Sequence, residues 1–307
     1  MAHSSKAKGY FALLITSVVW GTTWLVSKVG VNEIPALQMS SIRQFIGGIL
    51  FLAFFLLYKK MPLPTAKQFL WLFFMAILMF VSANGLSTWS LKFIPTGLSA
   101  LIGALYPLSV VILEKVFFKS KRLTALTFTG LALGIAGISL VFYENAFNDA
   151  GPDFLFGVFL AVFAMLSWSM ATIFIARNKT DINPYYGIGW QMLIGSILLF
   201  FISYATQTVV PISEISTTVW LVITYLVLFG SLLAFVAFIY SMKVLPAAIA
   251  SLYAYINPLI AMVGAYFFFN EKLSVNILWG SVITLAGVFL VNYSIKRSEK
   301  IIAEAEQ

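Results

Sequence analysis

Ten stretches of this chain, each about twenty residues long, carry almost no charge, and this pattern constrains the fold more than any other feature. Their approximate spans are 10–29, 36–58, 68–90, 96–118, 124–143, 154–176, 185–206, 217–242, 247–269 and 275–295. A helix needs roughly 20 apolar residues to cross the hydrocarbon core of a bilayer. In lipid every backbone polar group must be satisfied within the segment, which a helix does and an isolated strand does not. The expected fold is therefore an all-α integral membrane protein with ten transmembrane helices. Hydrophobic residues make up 61% of the chain and charged residues only 10%, against roughly 25% charged in an ordinary soluble domain. Ten crossings use roughly two thirds of the 307 residues and leave only short loops. That excludes an ATP-hydrolysing domain, a nucleic-acid-binding domain and a folded ectodomain. Lys6 and Lys8 precede the run 10–29 in the manner of a signal peptide. The run is long for a signal segment and no small-residue cleavage pattern follows, so it reads as the first crossing.

Several chemistries are excluded by what the sequence lacks. There is no Cys, and the single His is His3 in a polar tail. Thiolate chemistry, Cys-ligated metals, a histidine metal site and a Ser-His-Asp triad have no residues to build on. There is no Gly-rich Lys-Ser/Thr phosphate loop, no His-Glu-x-x-His and no Gly-x-Ser-x-Gly. No cofactor or metal is expected. The net charge of +8 reads as membrane topology, with no nucleic-acid partner implied.

With ten spans and both termini in the cytoplasm, the inner segments hold Lys6, Lys8, Lys59, Lys60, Lys67, Lys115, Lys119, Lys121, Arg122, Arg177, Lys179, Lys243, Lys296, Arg297 and Lys300. The outer segments hold Lys28, Lys92 and Lys272, and Arg43 lies inside a span. An excess of Lys and Arg on one side sets orientation, so the expectation is a multi-pass protein of the cytoplasmic membrane with both termini inside.

The two halves repeat. A shift of 151 residues brings Lys92 onto Lys243, Pro95 onto Pro246, Pro107 onto Pro258, and Phe117 and Phe118 onto Phe268 and Phe269. A shift of 150 brings Leu123 onto Leu273, Gly130 onto Gly280 and Gly137 onto Gly287; one of 148 brings Gly9 onto Gly157 and Trp20 onto Trp168. The expected units are residues 1–148 and 149–307, joined through the acidic break 144–153. Each carries five spans, an odd number, so the units insert in opposite senses. Inverted repeats of this kind belong to alternating-access transporters.

Three features resemble the EamA family of the drug/metabolite transporter superfamily over about residues 10–295. The first is Trp20-Gly21 in span one. The second is a pair of prolines twelve residues apart, Pro95/Pro107 and Pro246/Pro258. The third is the apolar run ending in an acid, Phe267 to Lys272, ahead of Gly280 and Gly287. The repeats differ from one another here: Ser120 stands where Glu271 stands in the second half, and Ser169 follows Trp168 where Gly21 follows Trp20. The resemblance implies a secondary transporter, often an exporter of amino acids or other small metabolites. It also implies a central cavity built from the first four helices of each repeat, with the fifth helices behind.

Candidate pathway residues follow from polar and helix-breaking groups inside the spans. Pro107 and Pro258 lack an amide, which leaves the carbonyls of Gly103 and Ala254 without helical partners. Paired broken helices point to a transporter site, although packing kinks look the same in sequence. Tyr106, Tyr253, Tyr255 and Asn257 need hydrogen-bond partners, from a cavity or from a neighbouring helix. Trp20 and Trp168 stand mid-span, away from the interface where Trp is commonplace, and are candidate pocket walls. Asn84 and Ser87 share a helix face with Thr88, and Trp190 and Gln191 form a similar spot in span seven. Arg43 either snorkels to the outer interface or binds a substrate carboxylate with its guanidinium fork. Glu114, beside Lys115, is either an interfacial ion pair or a proton-coupling carboxylate. The Gly130/Gly134/Gly137 stripe suits close helix packing, within the chain or against a dimer mate, the former being favoured.

The expected function is secondary transport of small organic metabolites by alternating access, with the lipid bilayer and a small-molecule substrate as partners and a monomeric or homodimeric state. Two alternatives stand beside it. A nucleotide-sugar or lipid-headgroup carrier of the same fold would want several cations in the cavity, and only Arg43 qualifies. A membrane-embedded enzyme would need a catalytic constellation inside the spans.

Overall fold

The computed structural model describes residues 2–118, 124–148, 151–177, 180–206, 209–245, 249 and 252–305. These residues are almost entirely helical, with no strand among them. In chain order the helices are α1 (Ala2–Glu33), α2 (Ala36–Tyr58) and α3 (Ala66–Ser90). Next comes α4 in two pieces, Thr96–Ala104 and Tyr106–Phe118, bent by 41° against each other. Then follow α5 (Ala125–Asn148), α6 (Phe154–Arg177), α7 (Pro184–Thr206), α8 (Thr217–Val244), α9 (Tyr253–Phe269) and α10 (Val275–Ala305). Eight of these are each long and apolar enough to cross a membrane, and the α4 pair makes a ninth. The tenth expected crossing is represented by α9, only 17 residues long, so the described residues do not complete ten full-length spans.

The ends of the helices are set locally. Thr65 and Gln68 form a capping box on α3, with Thr65 N–H donating to Gln68 Oε1 at 2.9 Å. Ser216 caps α8 by accepting from Val219 N–H at 3.2 Å. Asn183 accepts from the amides of Tyr185 and Tyr186 at 3.0 and 3.3 Å, just ahead of Pro184 in α7. Asn270 ends α9 in the left-handed region at φ 53°, a conformation Asn tolerates.

Packing follows the sequence repeat. α2 packs on its counterpart α7, and α5 on its counterpart α10. Other large contacts between halves come in exchanged pairs: α1 with α8 and α6 with α3; α1 with α9 and α6 with α4. Exchanging the halves interchanges these pairs, as a pseudo-two-fold relation between repeats requires. The glycine stripe serves the α5–α10 pair within the chain. A Cβ at Gly137 would lie 2.4 Å from Thr284 N, and one at Gly287 would lie 2.3 Å from Gly134 N. Only hydrogen in place of a side chain lets the two backbones approach this closely.

Large apolar side chains face outward: Leu57 is 77% exposed and Phe268 76%. In water this would be a defect; against lipid it is the expected surface. The interior carries polar groups as well as apolar ones. Gln38, Ser40, Ser41, Arg43 and Gln44 of α2 are all buried.

The helical periodicity breaks in two equivalent places. α3 widens to π-helical turns at Ile77–Gly85, and α8 does so at Leu226–Leu233. Such segments free carbonyls from the regular ladder. The proline helices are less symmetric. α4 breaks at Leu105, two residues before Pro107, so that Pro107 sits near the start of its inner piece. Pro258 lies inside unbroken α9, and the turn there is at Leu252. By the 151-residue shift, Leu252 corresponds to Leu101.

Candidate functional site

A cavity of about 190 Å³ lies where the two repeats meet. It is lined from α1, α2, α3 and α4 of the first half and from α6, α8 and α9 of the second. Helices α5 and α10 contribute no lining residue and stand behind it, packed on each other.

One wall is aromatic. Trp20 meets Trp168 edge-on, with ring centroids 6.5 Å apart. Phe235, Phe238 and Tyr253 surround the same indole at 5.3, 5.1 and 5.3 Å. Tyr253 stacks on Tyr106 at 6.4 Å, which brings α9 and the inner piece of α4 together. The Trp20 indole N–H donates to the Gly230 carbonyl at 3.1 Å, inside the π-helical segment of α8. A widened helix thus supplies the partner that a buried Trp needs.

The charge stands beside this wall, held by the next residue of α8. Arg43 is 6% exposed, and its side chain lines the cavity. Nε donates to Ser231 Oγ at 3.0 Å, again in the π-helical segment of α8. Gly230 makes room for it, since a Cβ there would lie 3.1 Å from Arg43 Nη2 and 2.8 Å from Thr23 Cγ2. Among the described residues no carboxylate forms an ion pair with Arg43, and no acid lines the cavity. Burying a cation without an anion costs several kcal/mol even after relaxation. The guanidinium has five N–H donors and Ser231 takes one of them, so the group is well supplied to grip an anion.

The polar side chains nearby are fixed by backbone contacts. Asn84 Oδ1 accepts from Gln44 Nε2 at 3.1 Å, and the Asn84 carbonyl accepts from Ser87 and Thr88 at 3.1 and 2.8 Å. With its amide nitrogen turned toward carbonyls, Asn257 donates to Ser17 O at 2.7 Å and Tyr253 O at 3.1 Å, tying α9 to α1. At the α4 break, Ser169 donates to the Tyr106 carbonyl at 3.2 Å and Ser109 donates to it at 2.8 Å; the two hydroxyls also contact each other.

Of the residues singled out from sequence, Trp20, Arg43, Asn84, Ser87, Tyr106, Trp168, Tyr253, Asn257 and Pro258 line this one cavity. Five others lie elsewhere. Pro107 is buried at the α4 break beside the cavity wall. Trp190 packs edge-on against Phe69 and Tyr186, both at 6.3 Å, in the core between α3 and α7. Its neighbour Gln191 is buried in the same helix. The Tyr255 hydroxyl accepts from Asn292 of α10 at 2.5 Å. Glu114 pairs with Arg177 of α6 at 3.2 Å, and both side chains are partly exposed, at 37% and 44%. Trp24, Ser27, Thr23 and Phe235 are among the lining residues that were not singled out. The first three stand with Trp20 at spacings of three, four and seven, a helix-face pattern that was there to be read.

The EamA-like transporter family model matches residues 7–143 and again residues 155–293, one match per repeat. An uncharacterized transporter of Bacillus subtilis strain 168, YoaV, is 25% identical over 297 residues, covering 94% of this chain and 98% of that protein. An uncharacterized inner membrane transporter of Escherichia coli K12, YedA, is 28% identical over 253 residues, covering 82% and 79%. A solved crystal structure shares the fold at a TM-score of 0.62 and 17% identity, covering 95% of this chain and 98% of that one. Two whole-repeat matches and an apolar helical bundle folded around one cavity lead to a single assignment: the chain is a multi-pass membrane protein of the EamA-like transporter family.

Proposed function

We propose that this protein is a secondary transporter that moves a small organic anion across the cytoplasmic membrane by alternating access, as an exporter of amino acids or related carboxylates. Arg43 carries the reading. It is a buried guanidinium without a protein carboxylate partner among the described residues, facing a cavity also lined by Trp20, Trp168 and Tyr253. The fork takes a carboxylate bidentately, and the indole and phenol rings take the apolar body of the substrate. Substrate binding supplies the missing anion and offsets the cost of burying the charge. Asn84 and Asn257 line the remaining wall, with Tyr106 at the floor beside Pro107.

The cavity size supports a small substrate. At about 190 Å³ it falls below the roughly 300–1,000 Å³ of sites for drug-sized ligands. A nucleotide sugar is larger and would bring phosphates to a cavity that offers one cation. Transport without catalysis fits a lining with no acid, His or Cys among the described residues. The Arg177–Glu114 pair stands outside the cavity and ties α4 to α6 at the surface.

Binding is read directly from tryptophan fluorescence. Purified protein titrated with pools of amino acids, other carboxylates, nucleosides and sugars shows a saturable change with a carboxylate-bearing pool. Trp20→Phe removes most of that change, and Arg43→Ala weakens apparent affinity by at least about tenfold, or ~1.4 kcal/mol. Saturable binding of neutral sugars with Arg43→Ala unaffected would overturn the anion reading.

A further inference from the structure

The acid that closes the apolar run of the second repeat has a specific place in the fold. Glu271 follows α9, yet its carboxylate reaches across to the first repeat. Oε1 accepts from the Thr96 amide at 2.7 Å and Oε2 from the Gly97 amide at 3.1 Å. These are the first amides of the outer piece of α4, whose own N-cap, Pro95, gives no side-chain hydrogen bond. A carboxylate on those free amides also meets the positive end of the helix dipole.

The capped piece is short and hinged. Thr96–Ala104 is nine residues long and is separated by the 41° bend at Leu105 from the rest of α4. It forms part of the cavity wall through Ser99, Ala100, Gly103 and Ala104. Lys28 of α1 donates to the carbonyls of Leu91 and Ile94, in the turn that leads into this piece, and lies within electrostatic reach of Glu271. The half-helix is therefore held at its outer end by one charge from the second repeat and one from α1, with the bend at Leu105 at its other end.

We infer that Glu271 is a positioning residue for transport: it latches the outer piece of α4 against the second repeat and keeps that end of the cavity shut. Releasing the carboxylate from Thr96 and Gly97 lets the half-helix swing and opens the end of the cavity that faces away from the cytoplasm. The inference rests on the reading of the cavity as the substrate path, and its test does not need a substrate.

The chain has no Cys, so Ala100→Cys, on the cavity side of the half-helix, gives a single reporter. Full-length protein in sealed vesicles is exposed to a membrane-impermeant maleimide from one face at a time. Adding Glu271→Gln, which removes the charge and one acceptor oxygen, raises labelling from the outer face on the order of tenfold, the scale of a lost helix cap. Thr96→Pro is the second variant. Proline suits the first position of a helix but has no amide for Oε1, and it raises labelling in the same direction. Glu144→Gln is the control; that carboxylate accepts from Asn276 at 2.9 Å, away from the cavity, and labelling stays at the level of the reporter alone. A merely structural cap would lower thermal stability without a side-specific change. Unchanged labelling in folded Glu271→Gln or Thr96→Pro, or a rise from the cytoplasmic face alone, overturns the latch. A side-specific rise in a protein that binds and moves no substrate upholds the latch and sinks the transport reading.

Discussion

Arg43 concentrates the conflict between stability and function at the scale of a single residue. Its charge is buried, it donates to one hydroxyl, and it has no ion-pair partner among the described residues. Replacing an uncompensated buried charge with an apolar side chain of similar length is commonly neutral or stabilising. Arg43→Met is accordingly expected to raise the apparent Tm in detergent by a few degrees while abolishing substrate binding. A marked fall in Tm would mean that the guanidinium serves the fold. The residue was visible in sequence because charge inside an apolar span is rare. Its surroundings were not: Ser231 is 188 residues away, and nothing local marks it as a partner. The same limit explains Trp190 and Gln191. A polar-aromatic pair in an all-apolar helix has no periodicity to tell the cavity side from the core side. Trp190 faces Phe69 and Tyr186, whereas Trp168, with equally little local signal, faces the cavity.

At the scale of elements, glycine spacing and π-helical turns divide the work. The α5–α10 pair is a rigid back built by backbone contact, and its glycines have no room for a methyl group. Gly287→Ala is expected to destabilise by about 1–3 kcal/mol, because the new Cβ would lie 2.3 Å from Gly134 N and 2.6 Å from Gly130 O, both backbone atoms. Thermal unfolding in detergent measures this, and an unchanged Tm would show that the helices part without cost. This stripe was legible in sequence as close packing. The π-helical turns of α3 and α8 were not, because nothing in Ile77–Gly85 or Leu226–Leu233 separates a wide turn from an ordinary apolar one. The α4 break was expected at Pro107 and forms at Leu105. Pro107 has no amide to continue the ladder and sits in the first turn of the second piece, where none is needed, so the chain turns two residues earlier.

Across the whole molecule, the sequence repeat and the contact pattern describe one pseudo-symmetric body. Of the residues matched between halves, Gly130 and Gly137 with their mates Gly280 and Gly287 are where α5 and α10 meet. The asymmetry between halves is equally informative. α4 bends by 41° at Leu105, ahead of Pro107, whereas Pro258 lies inside the helix Tyr253–Phe269. In an inverted-repeat transporter the two access states are related by exchanging the conformations of the repeats. A bend ahead of one proline, with its mate inside a continuous helix, is the kind of two-state element such an exchange needs.

The account stands most directly on counterflow. Proteoliposomes loaded with an unlabelled carboxylate pool are offered a trace of radiolabelled substrate from the same pool. Accumulation is expected with wild type, at least tenfold slower entry with Arg43→Lys, which keeps the charge but loses the fork, and none with Arg43→Ala. Equal accumulation by all three proteins would contradict the assignment of the buried guanidinium cavity as the substrate path.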